Sequence, residues 1–245
     1  MSIQAVILAG GLGTRFRPLT LKTPKSMIPV MGRPYLEYQL EYLKKYNITN
    51  ILLCVGYLGE NIQSHFGDGQ PWGVRIKYSF EDSPLGTGGA LKKASNHLED
   101  SFILIYGDSY LPINYSSLEE YFLEIDKTVL MVLYDNQEDT SVPNNVSLNE
   151  QGMVTHYEKD SRNSMLQYVD AGVLALKKNI LDLLPSVREV SLEKEIFPGL
   201  ITRQECAGFV TRERFYDIGT PERLKTFEDY INKQFFDTKE QSKST

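Results

Sequence analysis

In the first half of the chain, continuous apolar runs alternate with segments whose apolar residues have helical spacing. Continuous apolar runs at Ile3–Leu8, Ile51–Val55 and Phe102–Tyr106 are typical of parallel strands that are buried on both faces. Between the first two runs, Pro34 precedes a segment with leucines at helical spacing, which predicts a helix. The same rhythm predicts strands at Val74–Phe80 and Thr128–Tyr134, and helices at Leu91–Leu98 and Leu118–Ile125. This order predicts an α/β fold with right-handed crossovers and a mostly parallel central sheet.

The second half of the chain has a more mixed pattern. Val142–Leu148 and Met153–Tyr157 are predicted to form an antiparallel pair, and Tyr168–Leu176 a further strand. Two segments have helical patterns, Leu192–Ile201 and Pro221–Phe235. Because no repeat or linker interrupts the pattern, we expect one domain over residues 1–236. The polar residues 237–245 are predicted to form a flexible tail.

Composition narrows the range of partners. The 245 residues include 26 Lys and Arg against 32 Asp and Glu, a net charge of −6, which argues against a nucleic-acid partner. The two cysteines, Cys54 and Cys206, are too few and too far apart to predict a zinc site or a disulfide framework. No apolar run reaches the roughly 20 residues that a membrane span needs. We therefore expect a cytoplasmic protein with no membrane partner.

The candidate chemistry begins directly after the first predicted strand, in the glycine-rich stretch LAGGLGTR at residues 8–15. Glycines let backbone N–H groups converge on an anion, and the end of a parallel strand is where open α/β sheets bind nucleotides. Arg15 adds a planar guanidinium group and Lys25 adds a compact positive charge. Both suit the negatively charged oxygens of a triphosphate. The P-loop pattern is absent, and Phe16 stands where a dinucleotide fingerprint requires its third glycine.

This loop, together with PLT at 18–20 and PKSMIPV at 24–30, resembles the signature of the sugar-1-phosphate nucleotidylyltransferases. The resemblance continues in family order over nearly the whole chain, through EDSPLGTGGA at 81–90, GD at 107–108, EK at 158–159, VDAG at 169–172 and FYDIGTP at 215–221. It implies a three-layer, Rossmann-like (GT-A-like) fold with a small mixed β lobe for the sugar. Residues of about 1–110 would then bind the NTP, and residues of about 111–236 the sugar phosphate.

The resemblance also implies residue roles. Arg15, Lys25 and Asp108 would be catalytic, and Asp108 with Asp217 would hold Mg²⁺, a cation that prefers oxygen ligands. Asp108 follows a predicted strand, at the sheet edge where ligands gather. The implied nucleotide-binding residues are Leu8, Ala9, Gly10, Gly11, Gly13, Thr14, Arg15, Lys25, Glu81, Pro84, Gly86, Thr87 and Asp108. The implied sugar-phosphate-binding residues are Gly86, Gly107, Ser109, Glu158, Lys159, Asp170 and Gly172.

Glu81 bears on the identity of the base. Thymidylyl and uridylyl members commonly have Gln at the matching position, whereas a carboxylate only accepts hydrogen bonds. Guanine offers a ring N–H beside an amino group, so Glu81 favours GTP. The sugar is best matched by D-glycero-D-manno-heptose 1-phosphate, because GDS at 107–109, VDAG and SLEK at 191–194 most resemble the heptose-1-phosphate guanylyltransferases. Asp160 departs from the proline that many members have, which leaves the local loop shape open.

Several alternatives remain open at this point. A uridylyl, thymidylyl, mannose or glucose enzyme of the same family, a transferase for a non-sugar phosphate such as phosphocholine, and an inactive nucleotide-sensing subunit would share most of these motifs. An inactive subunit would be expected to lose the carboxylates or the motif lysine, and these are present. The aromatic residues Tyr115, Tyr121 and Phe122 could pack in the core or against a second subunit in a homodimer.

Overall fold

The computed structural model describes residues 3–138, 140–159 and 165–241. In chain order its strands are β1 (Gln4–Leu8), β2 (Pro29–Val30), β3 (Arg33–Pro34), β4 (Asn50–Val55), β5 (Arg75–Phe80), β6 (Ser101–Tyr106), β7 (Ser109–Tyr110), β8 (Val129–Tyr134), β9 (Val146–Leu148), β10 (Val154–Tyr157), β11 (Val169–Lys177), β12 (Cys206–Thr211) and β13 (Tyr216–Asp217). Its α-helices are α1 (Tyr35–Lys45), α2 (Gly59–Phe66), α3 (Gly86–Lys93), α4 (Tyr115–Ile125), α5 (Phe197–Thr202) and α6 (Pro221–Gln241).

Seven of these strands form the central sheet, in the order β12-β8-β11-β6-β1-β4-β5. β4, β5, β1 and β6 pair in parallel, and so do β8 and β12. β11 is the one strand of this sheet that is antiparallel to its neighbours, β6 and β8. The predicted mostly parallel α/β sheet is therefore confirmed. β9 and β10 form the predicted antiparallel pair beside the sheet.

Helices cover both faces of the sheet, which gives the three layers that the resemblance implies. On one face, alternate strand residues such as Ile7 and Ile103 pack with Leu40 of α1, Phe66 of α2 and Phe122 of α4. On the other face, the intervening strand residues pack with α3, α5 and the turn of π-helix at Leu192–Ile196 that precedes α5. Because both faces are buried, the central strands have continuous apolar runs rather than alternating ones.

A third apolar cluster lies at one end of the sheet, between α1, α6, β7 and β13. Phe227 of α6 is its centre, with ring centroids 5.0 Å from both Tyr35 and Tyr110. The candidate interface residues Tyr115 and Phe122 are both buried in the core of this chain. Among the described residues, no helix is both long enough and apolar enough to cross a membrane.

Four elements differ from the sequence prediction. α3 begins at Gly86 rather than at Leu91, because packing against Leu184 and Val190 overrides the poor helix propensity of its glycines. Two further elements have patterns too weak to be predicted: α2, in which Ile62 and Phe66 are the buried apolar side chains, and the edge strand β12, which contains a glycine. α6 extends to Gln241, so it includes residues 237–241 of the predicted tail, and the rest of that tail lies outside the described residues.

The α6 cluster leads to a stability prediction. Phe227→Ala removes a fully buried ring, and we expect it to lower the free energy of unfolding by about 3–5 kcal/mol. Urea denaturation followed by circular dichroism measures this change. Leu123→Ala, on the exposed side of α4, is the matched control and should cost less than about 0.5 kcal/mol. Equal effects of the two substitutions would contradict the central role of Phe227.

Candidate active site

A cavity with a volume of about 640 cubic ångströms opens at the carboxyl ends of β1, β5 and β6. This is the edge of an open α/β sheet at which ligands bind. With the exception of Glu158, every residue implicated by the sequence lines the cavity. These lining residues are Leu8, Ala9, Gly10, Gly11, Gly13, Thr14, Arg15, Lys25, Glu81, Pro84, Gly86, Thr87, Gly107, Asp108, Ser109, Lys159, Asp170, Gly172 and Asp217.

The glycine-rich loop leaves the sheet directly after β1 and is held by its own backbone and by Thr20. The Ala9 N–H donates to the Cys54 carbonyl of β4 (2.7 Å), which keeps the loop at the sheet edge. Thr20, which is buried, donates from its hydroxyl to the Gly13 carbonyl (2.8 Å). Short 3₁₀ turns then return the chain to the cavity at Lys25. This arrangement explains why PLT follows the loop in the sequence.

Lys25 forms an ion pair with Asp108 at the end of β6. The Lys25 Nζ lies 2.5 Å from the Asp108 Oδ2. The turn that carries Asp108 is joined to β1, because the Gly107 N–H donates to the Leu8 carbonyl (3.0 Å). Beneath the turn, the buried Gln39 side chain of α1 donates to the Ser109 carbonyl (2.6 Å). The fold thus holds Asp108 and Lys25 together beside the glycine loop.

Asp217 reaches the same place through a short antiparallel pair. β13 pairs with β7, with Asp217 opposite Ser109, and the Ile218 N–H donates to the Asp108 carbonyl (3.0 Å). The Asp217 carboxylate accepts hydrogen bonds from the Gly219 N–H (2.7 Å) and from Arg223 Nη1 (3.3 Å). Burial raises the pKa of Asp217, and the Asp108 charge raises it further, while Arg223 and the Gly219 N–H oppose these effects.

The Asp108 and Asp217 pair fits a magnesium ion. Mg²⁺ is usually bound by one or two carboxylates that are completed by substrate phosphates and water, rather than by a full protein cage. The described residues contain no group of three or more His, Cys, Asp or Glu side chains that could hold a metal ion by itself. The buried hydroxyl of Tyr35 has no hydrogen-bond partner among the residues that the structure describes. Burial and the charges of Asp108 and Asp217 raise its pKa, so it stays protonated.

Glu81 lies at the opposite side of the glycine loop, just after β5. Its Oε2 accepts a hydrogen bond from the Leu85 N–H (3.0 Å), and its Oε1 faces Gly10, 3.3 Å from the point where a Cβ would stand. Burial raises the pKa of Glu81, whereas the Leu85 N–H and the charge of Lys93 act in the other direction. The carboxylate is therefore a fixed, half-buried acceptor on the cavity wall.

Asp170 lies on β11, where a bulge turns it towards the cavity. The register of β11 against β8 shifts between Asp170 and Leu174, and Gly172 adopts a left-handed conformation there (φ 73°). The carboxylate accepts hydrogen bonds from the Gly172 N–H (2.9 Å) and the Tyr157 hydroxyl (3.0 Å). Burial, which these hydrogen bonds only partly offset, raises the pKa of Asp170 to about 6.

Glu193, in the π-helical turn, belongs to the SLEK segment at 191–194, but no site role was predicted for it. Its side chain is 1% exposed, yet it accepts hydrogen bonds from three hydroxyls, those of Thr87 (2.7 Å), Tyr106 (2.8 Å) and Ser191 (2.6 Å), and pairs with Lys159 (3.4 Å). Burial alone would raise the pKa of Glu193, but Ser191 and Lys159 hold it below its usual value. This carboxylate joins the LGTGG segment to Lys159 across the cavity.

Other residues differ from the expectation in smaller ways. Glu158 is exposed and lies outside the cavity lining, while its neighbour Lys159 contributes to it. The cavity also contains Asn145, Tyr157 and Arg223, which no motif singled out. The only local signal for Arg223 is its position two residues after the Gly-Thr-Pro sequence at 219–221. Asp160 lies outside the described residues.

Comparison with known protein families agrees with this geometry. Residues 4–234 match the model of the family described as "Nucleotidyl transferase". The chain belongs to this nucleotidyl transferase family. Its relatives include a mannose-1-phosphate guanylyltransferase of Mycobacterium tuberculosis, 32% identical over 90% of this chain and 62% of that protein. A D-glycero-alpha-D-manno-heptose 1-phosphate guanylyltransferase of Campylobacter jejuni is 31% identical over 90% of this chain and 96% of that protein.

The relatives place the chain among the sugar-1-phosphate nucleotidyltransferases but differ in base and sugar. A UTP–glucose-1-phosphate uridylyltransferase of Synechocystis is 32% identical over 81% of this chain and 55% of that protein. Among solved structures, HddC from Yersinia pseudotuberculosis superposes with a TM-score of 0.82, at 28% identity, and covers 94% of this chain and 100% of its own. A second structure of that protein contains GMP-PN (TM-score 0.78). The predicted family and fold are thus confirmed.

The raised pKa of Asp170 leads to a pH prediction. Its folded-state pKa of about 6 lies above the unfolded value of about 3.9, so folding favours the protonated form. The stabilisation is complete below about pH 4 and is lost as the pH rises through about 6. The free energy of unfolding of the wild type minus that of Asp170→Asn should fall over this range.

Urea titrations at a series of pH values measure the difference. The control is Asp82→Asn, because a hydrogen bond from Lys93 lowers the pKa of the exposed Asp82 and reverses the sign of its pH dependence. A difference for Asp170→Asn that rises with pH over the same range would refute the assignment.

Proposed function

We propose that this protein is a sugar-1-phosphate guanylyltransferase that joins GTP to D-glycero-D-manno-heptose 1-phosphate and releases pyrophosphate. The observation that carries the proposal is the arrangement of carboxylates around the glycine loop. Glu81 stands at one side of the loop as an acceptor for a base, and Asp108 and Asp217 stand at the other with Lys25. A nucleotide laid along the loop would have its base near Glu81 and its phosphates near the aspartates.

The phosphate end of the cavity suits a triphosphate. The backbone N–H groups of the loop and Arg15 would bind the β- and γ-phosphates, and Lys25 would reach the α-phosphate or the incoming sugar phosphate. Asp108 and Asp217 would hold Mg²⁺, which when bound neutralises phosphate charge. An oxygen of the sugar phosphate would attack the α-phosphorus as the bond to pyrophosphate breaks on the opposite side. The protein's contribution is then mainly positioning and charge neutralisation.

Such a reaction needs no general base. The attacking phosphate oxygen is already anionic at neutral pH, so no proton has to be removed from it. The described residues that line the cavity include no histidine. His65 of α2 instead forms a hydrogen bond with the buried Glu37 of α1.

Glu81 supports guanine as the base. Its Oε1 faces the loop, and its Oε2 keeps a free lone pair beside the bond from the Leu85 N–H. Two carboxylate oxygens can accept both the ring N–H and the amino group of guanine. Two guanylyltransferase relatives and the GMP-PN complex of HddC are consistent with this base.

The sugar side supports a polyhydroxylated ligand. Asp170 provides acceptor lone pairs at the far wall, and Lys159, which Glu193 holds in place, provides a charge for the sugar phosphate. The heptose relative also matches this chain over nearly its full length, whereas the chain covers 62% of the mannose relative. This match in length favours heptose over mannose.

A substrate screen tests the proposal. The purified protein is incubated with Mg²⁺, each of GTP, UTP, dTTP and ATP, and a panel of heptose, mannose and glucose 1-phosphates and phosphocholine. We expect pyrophosphate release and a GDP-heptose mass only with GTP, and loss of both signals with EDTA. Release with UTP or dTTP but not GTP would reject the guanylyl assignment. Nucleotide binding without turnover of any pair would favour an inactive sensor.

The base-reading role leads to a specific prediction. Glu81→Gln replaces an acceptor-only group by one that also donates, so we expect kcat/KM with GTP to fall by about 10- to 100-fold. The ratio of activity with UTP or dTTP to that with GTP should rise. Steady-state kinetics with each NTP measures both effects. The neighbouring Asp82→Asn, an exposed acid, is the control; nucleotide selectivity that is the same in both variants would exclude Glu81 from base recognition.

A further inference from the structure

Arg223 is a basic residue of the cavity to which the proposed reaction assigns no role. It lies in the first turn of α6, with its Nη1 3.3 Å and 3.4 Å from the two carboxylate oxygens of Asp217. Its Nη2 donates to the Ser141 carbonyl (2.9 Å), and its Nε donates to the Ser141 hydroxyl (3.3 Å). The side chain is therefore clamped on one edge by a loop and paired on the other with a candidate metal ligand.

The clamp itself is unusual. Ser141 has a positive φ of 55°, a conformation that costs free energy in a residue other than glycine. The two hydrogen bonds from Arg223 offset this cost and fix the guanidinium at the cavity wall. Because Ser141 already holds Nε and Nη2, only Nη1 has to change partner when Arg223 meets another anion.

Arg15 approaches the same point from the glycine loop. The position that a Cβ of Gly219 would occupy lies 3.5 Å from Arg223 Nη1, 3.6 Å from Arg15 Nη1 and 2.5 Å from Asp217 Oδ1. Two guanidinium groups thus face one carboxylate at the phosphate end of the cavity. Residue 219 is a glycine because any side chain would displace Asp217. The excess of positive charge suits an anion with several oxygens, and the planar guanidinium suits phosphate.

Arg223 and a divalent cation would compete for Asp217. The Oδ1 atom of Asp217 already accepts a hydrogen bond from the Gly219 N–H. A metal ion bound to Asp217 would also repel the positively charged guanidinium of Arg223. Asp108 is similarly occupied by Lys25. Each proposed metal ligand therefore has a basic side chain that metal binding would release next to the place where phosphates arrive.

We propose that Arg223 exchanges partners during substrate binding: it gives up Asp217 to the divalent cation, and its Nη1 then binds the β- and γ-phosphate oxygens of the nucleotide beside Arg15. This inference rests on the proposed function, because it needs a triphosphate at the glycine loop. It makes Arg223 a residue that distinguishes a nucleoside triphosphate from a monophosphate.

The first test measures the competition without nucleotide. Free Mn²⁺ is followed by electron paramagnetic resonance during titration of the wild type, Arg223→Gln, Arg223→Lys and Arg212→Gln. We expect Arg223→Gln to bind Mn²⁺ about 3- to 10-fold more tightly than the wild type, because a repelling charge has been removed. Arg223→Lys should stay near the wild-type value. The control, Arg212→Gln, removes an exposed arginine that lies 3.8 Å from Asp135 and should change nothing.

The second test measures GTP and GMP binding to the same proteins by calorimetry with Mg²⁺. Arg223→Gln should lose about 10-fold or more in affinity for GTP and less than about twofold for GMP, with Arg223→Lys intermediate. Thermal unfolding shows whether each variant is folded. If Arg223→Gln does not fold, the GTP and GMP affinities of Arg223→Lys are compared with those of the wild type instead. An unchanged Mn²⁺ affinity, or an unchanged ratio of GTP to GMP affinity, overturns the partner exchange of Arg223 but leaves the proposed function standing. A wild type that binds no GTP overturns the proposed function as well.

Discussion

The backbone pairing of β7 with β13 is the interaction on which the candidate site depends. It joins the turn after β6 to a segment near the end of the chain and sets Asp217 opposite Ser109, next to Asp108. A pair of strands two residues long is weak by itself. Its stability comes from the aromatic cluster behind it, in which Phe227 of α6 packs on Tyr35 and Tyr110. Apart from Arg223 in its first turn, which lines the cavity, the last helix thus acts on the site by holding β13 in place.

Charge balance is the second constraint on the cavity. Three of its carboxylates each have a basic partner: Asp108 with Lys25, Asp217 with Arg223 and Glu193 with Lys159. Buried or half-buried charges are costly unless they are paired and hydrogen-bonded, so these pairs allow acidic groups to collect at one sheet edge. The same pairs leave cations close to the place that a phosphate would take. A binding site for phosphates and metal is in this way compatible with a stable fold.

Glu193 connects the two sides of the cavity. It accepts from Thr87 at the start of α3 and from Tyr106 at the end of β6, and it pairs with Lys159 of the sugar side. Removing one partner of such a buried network leaves a charge unsatisfied, so its members are coupled. The segment that would face the nucleotide and the lysine that would face the sugar phosphate are therefore positioned by one carboxylate.

The sequence by itself determined the elements whose signals are local. The apolar runs of β1, β4 and β6, the glycine loop with Arg15 and Lys25, and the order of motifs are read from neighbouring residues, and they sufficed for the fold class and the family. Only the tertiary structure decided which distant side chains meet. Glu193 and Arg223 lie in segments that pack against the cavity from far along the chain, and Glu158 lies outside it although its motif suggested otherwise. The glycine-rich start of α3 was also decided by packing. The reason is physical: periodicity and turn chemistry act over a few residues, whereas a buried charge finds its partners through the packing of the whole chain.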